Sequence, residues 1–229
     1  MNNALKYSSS RVAEAKAQGH NPSRRGEGAG EAQTSTLTHA QSSPKSLPSS
    51  LVASLTIEHF CSNEIFELLI SDYLEHIYPL HPIIHRPLFR TEFQDKRHLR
   101  DPFFYRLCIS ISALVISWSP RNFETYGFNP GETVRSMVEK AHYLVTLSKT
   151  SQNLHGDIQP NPDDMICSYI LSVALHGSGS THLGWVHASE TVLCMRRLRL
   201  CERDSHDDLG FIKSEMCKRA FWMMFIIMA

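Results

Sequence analysis

The chain has 229 residues, 42% of them hydrophobic, and its 23 lysines and arginines balance 23 aspartates and glutamates. Such a composition is that of an ordinary globular chain with room for one sizeable domain or two small ones. A net charge of zero leaves no global field to steer it onto nucleic acid or an anionic membrane.

The chain opens on MNNALKYSSSRVAEAK, which lacks the continuous apolar core of a signal peptide. Residues 1 to about 50 are rich in Ser, Gly, Ala, Asn and Gln, with almost no aromatic or branched aliphatic side chains. Such a stretch cannot bury enough surface to offset chain entropy, so it is expected to be a disordered tail. The pair Arg24 and Arg25 within it is open to two readings, a fragment of an import signal or a solvated dipeptide.

From Leu51 onward apolar residues recur at spacings of three and four. The first clear helix is predicted over about Asn63 to Ile77, capped by Ser62, with Ile65, Phe66, Leu69, Tyr73, Leu74 and Ile77 along one stripe. Pro79 and Pro82 forbid its continuation, and Pro87 starts a short turn of helix in which Phe89 and Phe93 lie one turn apart.

Asp101 is a good N-cap and Pro102 suits the first helical position, so a helix is predicted from there to about Trp118, where Pro120 stops it. Its apolar residues run round much of the girth, the pattern of a helix central to a core. An amphipathic outer helix is predicted from about Gly131 to Ser148, with Val134, Met137, Val138, Ala141 and Val145 inward and Glu132, Arg135, Glu139 and Lys140 outward. The capping signal recurs at Asn161 and Pro162, leading through MICSYILSVALH to Gly177.

The run Gly177 to Ser180 reads as a flexible linker. A helix follows from about His182 to Leu198, carrying Trp185, Ala188, Ser189, Val192 and Met195 at helical spacing, and a last one begins near Phe211. No strand alternation, hairpin turn, internal repeat or sustained heptad run is visible. The expected fold is all-α: one domain of about six or seven helices over residues 51–229, behind a tail over 1–50.

Candidate chemistry is sparse. The cysteines at 61, 108, 167, 194, 201 and 217 show no CxxC spacing and read as reduced packing residues of an intracellular protein. His76, His81 and His85 could suggest a zinc or copper site, but Pro79 and Pro82 separate them onto different local frames, and no HExxH motif accompanies them. The run HGSGSTHLG at 176–184 completes neither a dinucleotide fingerprint nor a nucleophile elbow. Arg196, Arg197 and Arg199 suit the C-terminal end of a helix dipole, and a phosphate contact would need a longer basic stripe. The terminal AFWMMFIIMA has ten apolar residues in a row, about half of a membrane span, and is expected to be buried against a partner, further structure or the domain body.

Local sequence carries more than this chemistry. LLISDYLEHIYPLHPIIHRPLFRTEF, residues 68–93, closely resembles the opening of the fungal-specific transcription factor domain, in which a helix leads through a His-Pro corner to His-Arg-Pro-x-Phe. The corner here runs from Tyr78 through Pro79, His81, Pro82, His85, Arg86 and Pro87 to Phe89. GWVHASETVLCMRRLRLCER at 184–203 and KSEMCKRAFWMMFIIM at 213–228 fall in the family's order. The second of these is similar to the family's Arg-Arg-x-Phe-Trp helix, through Lys218, Arg219, Ala220, Phe221 and Trp222.

The resemblance implies an all-helical regulatory domain of a nuclear transcription factor, acting through co-regulator proteins or a small-molecule effector. No catalytic, cofactor-binding or metal-binding residues come with it. Members usually carry an N-terminal zinc cluster of six closely spaced cysteines that binds DNA, and no cysteine precedes Cys61 here. Zinc is therefore not expected in this chain, and DNA is expected as a partner only through a cluster it does not contain. The family's domain also continues past the Phe-Trp helix, so residues 51–229 are expected to be its N-terminal part. Two alternatives remain open from the sequence: a truncated gene fragment without DNA-binding activity, and a small helical metal protein or enzyme using His85 or Ser178.

Overall fold

A computed structural model describes residues 56–153, 161–202 and 204–228. The proposed tail, the pair Arg24 and Arg25 and the stretch 51–55 lie outside the described residues. Seven α-helices follow in order: α1 Asn63–Asp72, α2 Arg86–Gln94, α3 Pro102–Trp118, α4 Val134–Asn153, α5 Pro162–Gly177, α6 Thr181–Arg197 and α7 Phe211–Met228. The described residues are all-α, as the periodicity predicts.

Local start signals operate where the sequence places them. Ser62 Oγ accepts from the Ile65 amide at 3.4 Å, Asp101 Oδ1 from Phe103 at 2.9 Å, and Asn161 Oδ1 from Asp163 at 2.9 Å. Each satisfies a first-turn N–H that no helical carbonyl can reach. The fourth helix starts later than the predicted position near Gly131: α4 begins at Val134, because Thr133 and Ser136 exchange side-chain and backbone hydrogen bonds in a capping box and Gly131 sits at φ +95°.

The helix predicted through Ile77 changes character at Tyr73. Residues Tyr73–Ile77 form a π-helical turn, closed by the Tyr78 amide on the Tyr73 carbonyl at 2.7 Å. The wider turn lets Tyr73, Leu74 and Ile77 all be buried. The proline corner then delivers His81, Ile83 and Ile84 into the core, and the Tyr73 hydroxyl donates to the His81 carbonyl at 3.1 Å.

Helix α3 is the hub. From Phe104 to Ser117 all but Leu107 are buried, and the helix packs against α1, α4 and α5. Each fully buried isoleucine, such as Ile109 or Ile111, contributes about 1.5–3 kcal/mol of burial free energy. Phe89 lies 5.3 Å from Phe104 and Phe93 lies 5.8 Å from Phe66, so α2 is pinned to both α3 and α1. Helix α5 packs against α3, α4, α6 and α7.

The segment read as a flexible linker is instead a tight turn. Gly179 has φ +85°, the Ser180 amide reaches the Leu175 carbonyl at 2.9 Å, and the Gly179 amide reaches that of His176 at 3.1 Å. This pair of bonds is a Schellman motif, which reverses the chain between α5 and α6. A Cβ on Gly177 would stand 2.3 Å from Ser117 Oγ, and one on Gly184 would stand 2.4 Å from His176 Nδ1. Both glycines serve close helix approach rather than flexibility.

Candidate functional site

The three neighbouring histidines perform three unrelated tasks. His76 is exposed on the π-helical turn. His85 caps α2, its Nδ1 accepting from the Leu88 amide at 3.3 Å. His81 is 3% exposed, stacked on Tyr169 at 5.3 Å and edge-on to Trp118. Burial pulls His81 down to about 4, so the ring is neutral in a neutral solution. Among the described residues, no three His, Cys, Asp or Glu side chains stand where they could hold one metal ion.

Cysteine chemistry is equally quiet. All six cysteines are free, with Cys108, Cys167 and Cys217 buried. Burial pushes Cys61, Cys167 and Cys217 up to about 12, far from the thiolate that reactivity requires. Cys201 departs from the packing role, since it is exposed.

A polar network that the spacing arguments missed lies between α4, α5 and α6. His142 Nδ1 and His187 Nε2 are 2.8 Å apart, and His187 Nδ1 is 3.2 Å from Glu190 Oε2. Glu190 also accepts from Lys149 and from the buried Ser168 hydroxyl, both at 2.8 Å, while Lys149 donates to Ser168 Oγ at 2.7 Å. Burial opposes charge on Glu190, but the bonds from His187, Lys149 and Ser168 and the lysine's charge hold it down at about 2.

Ser168 and Lys149 could suggest a nucleophile and its base. The lysine is committed to Glu190 as an ion pair and the serine donates its proton to the same carboxylate, so neither is poised for acyl transfer. The network joins three helices whose contributing residues are far apart in sequence.

Arg106, wholly buried on α3, forms a second such junction. It donates to Ser148 at 3.2 Å, Gln152 at 2.6 Å and Asp164 at 2.8 Å, with its guanidinium 4.5 Å from the Phe103 ring centre. Arg196, Arg197 and Arg199 are exposed near the end of α6, and Arg199 is tied to Glu202 at 2.9 Å. They form no continuous basic stripe.

The apolar C-terminal run is divided by α7. Cys217, Ala220 and Met224 are buried, while Trp222, Phe225 and Ile226 are 60–71% exposed. The expectation of burial therefore holds for one face only. Beside it, Val192, Met195, Phe221, Met224 and Phe225 line a groove of about 310 Å³ between α6 and α7.

Two segments singled out in the sequence meet in space. Arg219 on α7 donates from Nη1 to the carbonyls of Pro82 and Ile84 at 3.2 and 3.4 Å, so the last helix clasps the proline corner. The model of the fungal specific transcription factor domain matches residues 70–227, a span that contains both sides of that clasp. The chain belongs to this family. Comparisons with curated proteins and with solved structures gave no match.

Membership in the fungal-specific transcription factor family removes the rival reading of a helical enzyme, because the family is a non-catalytic one. The matched span takes in α1 from Ile70 and all the later helices up to Ile227, so the hub α3, both polar junctions and the clasp all belong to the family domain. Trp222, in the segment likened to the family's Phe-Trp helix, lies on the exposed face of α7 and outside the core.

Proposed function

We propose that this chain is a regulatory domain of a fungal zinc-cluster-type transcription factor, working in the nucleus through contacts of its helices with co-regulator proteins or a small-molecule effector. The family match over residues 70–227 carries this reading. The balanced charge and the scattered, partly paired arginines support a role apart from the DNA, which would be reached through a zinc cluster outside this sequence. The exposed Trp222, Phe225 and Ile226 support protein contact, because apolar side chains grouped on one helix face gain by being covered.

The test is a fusion of residues 1–229 to an unrelated DNA-binding domain, read with a reporter gene in a fungal cell. The expected result is a change in reporter output, up or down, relative to the DNA-binding domain alone, that Phe225→Ser with Ile226→Ser diminishes. Output indistinguishable from the DNA-binding domain alone, from a fusion shown to be folded, would refute the reading.

A further inference from the structure

A cavity of about 490 Å³ opens between α2, α3, α5 and the start of α7. Its body is apolar, with Phe103, Phe104 and Leu107 from α3, Ile166 from α5, and Ile212 and Met216 from α7. The volume falls in the range of small-molecule sites, and its composition, apolar walls with a few polar groups at the edge, is the usual one for them.

Charge around the cavity decides what it can hold. Its charged residues are Glu92, Arg97, Asp163 and Lys213. Arg97 is bonded to Glu92 and, at 2.8 Å from Nε, to Asp101, and its guanidinium lies 5.5 Å from the Phe104 ring centre. Lys213 Nζ stands 2.8 Å from Asp163 Oδ2. Each cation is thus already matched by a carboxylate.

An anionic ligand would have to draw Arg97 or Lys213 away from its partner, and a cationic one would have to do the same to Glu92 or Asp163. An uncharged ligand leaves both pairs intact and gains from covering the apolar walls. The same pairs offer it N–H donors and carboxylate acceptors at the rim.

We infer that this cavity binds an uncharged, mainly apolar small molecule carrying a hydrogen-bonding group at one end. Its occupant touches α7 through Ile212, Lys213 and Met216, and α7 is also the helix that clasps the proline corner and exposes Trp222. Ligand binding here is thereby linked to the position of that helix. Only the regulatory meaning of the binding rests on the proposed function; the binding itself does not.

The test uses the full chain with two fluorescent probes, the neutral dye Nile red and the anionic dye 8-anilinonaphthalene-1-sulfonate. The three tryptophans, at 118, 185 and 222, all lie outside the cavity lining, so the dyes supply the signal. Leu107→Trp and Met216→Trp each fill the cavity from a different helix, and Trp222→Ser with Ile226→Ser removes the exposed α7 face as a competing dye site.

The expected result is saturable Nile red binding, weakened at least about tenfold by whichever cavity-filling variant retains a cooperative thermal transition, and unchanged by the α7 surface variant. Nile red binding that ignores both cavity variants, or that disappears with the surface variant, would overturn the proposal. So would tighter binding of the anionic dye that is lost in the cavity variants. A failed dye experiment leaves the reporter result standing, and a silent reporter leaves dye binding standing.

Discussion

Arg219 on α7 donates from Nη1 to the backbone carbonyl of Pro82, 137 residues earlier in the chain, at 3.2 Å. Pro82 has no N–H and the corner it forms has no helix to occupy its carbonyls, so these need donors from elsewhere. The Arg219 guanidinium serves both Pro82 and Ile84. This is how the last helix and the first corner of the family domain become one unit.

Arg219→Ala is expected to lower unfolding free energy by about 1–3 kcal/mol, the range for stranding partly buried carbonyls that accept from a charged donor. Arg219→Lys, with a point charge in place of a fork, should recover only part of it. Urea denaturation of the three proteins checks this, and an unchanged midpoint for Arg219→Ala would show that the clasp contributes nothing.

His81 makes stability depend on pH. The native ring stays neutral down to about 4, whereas the unfolded ring takes a proton near its ordinary 6.5. Between those values the unfolded state binds the extra proton, so stability from this residue is full above pH 6.5 and is lost as pH falls towards 4. The loss amounts to roughly 3 kcal/mol. His81→Phe keeps a ring against Tyr169, removes an Nε2 that is buried without a partner among the described residues, and should flatten that acid limb in thermal melts taken across the window.

Gly184→Ala should destabilise the α5–α6 pair. The added methyl would fall within 2.4–3.0 Å of three atoms of the His176 ring, which is bonded through Nδ1 to the Ser172 carbonyl at 2.7 Å and packed edge-on to Trp185. Overpacking of this kind costs about 1–3 kcal/mol. His176→Ala in the same chain removes the obstacle, so the double variant should lose less than the sum of the two single losses in a double-mutant cycle.

The Arg106–Asp164 pair should respond asymmetrically. Arg106 is 1% exposed in its side chain and Asp164 is 29% exposed, so a lone Asp164 can turn to water while a lone Arg106 cannot. Asp164→Ala is therefore expected to cost about 3–5 kcal/mol, and Arg106→Met distinctly less, since it leaves no buried charge behind. Equal losses in chemical denaturation would contradict the assignment of Arg106 as the desolvated partner.

The parts of the molecule legible in sequence are those set by nearest neighbours along the chain. Asp101 with Pro102, and Asn161 with Pro162, fixed helix starts to the residue, because a cap needs only an acceptor two or three positions before an amide. The burial of α3 was legible for the same reason, since a helix apolar on nearly every face has nowhere to go except the core. Trp185 shows the limit. It shares helical spacing with Ala188 and Met195, yet it is 53% exposed and the buried face runs instead through Gly184, His187, Ala188 and Thr191. At Gly184 that face carries no side chain because α5 lies too close for one, as the His176 ring beside it makes plain.

The sequence by itself determined the helical class, the order of the helices, most of their ends and the likeness of residues 68–93 to a known corner, because each depends on residues within a few turns of one another. Tertiary structure alone decided which polar residues became partners. His142, His187, Lys149 and Glu190 converge from two helices on one buried serine of a third, and Arg106 finds Asp164 and Gln152. These partners stand some twenty to sixty positions apart, and no local pattern encodes the meeting. They meet because buried polar groups are costly when unpaired, and packing brings the complementary ones together.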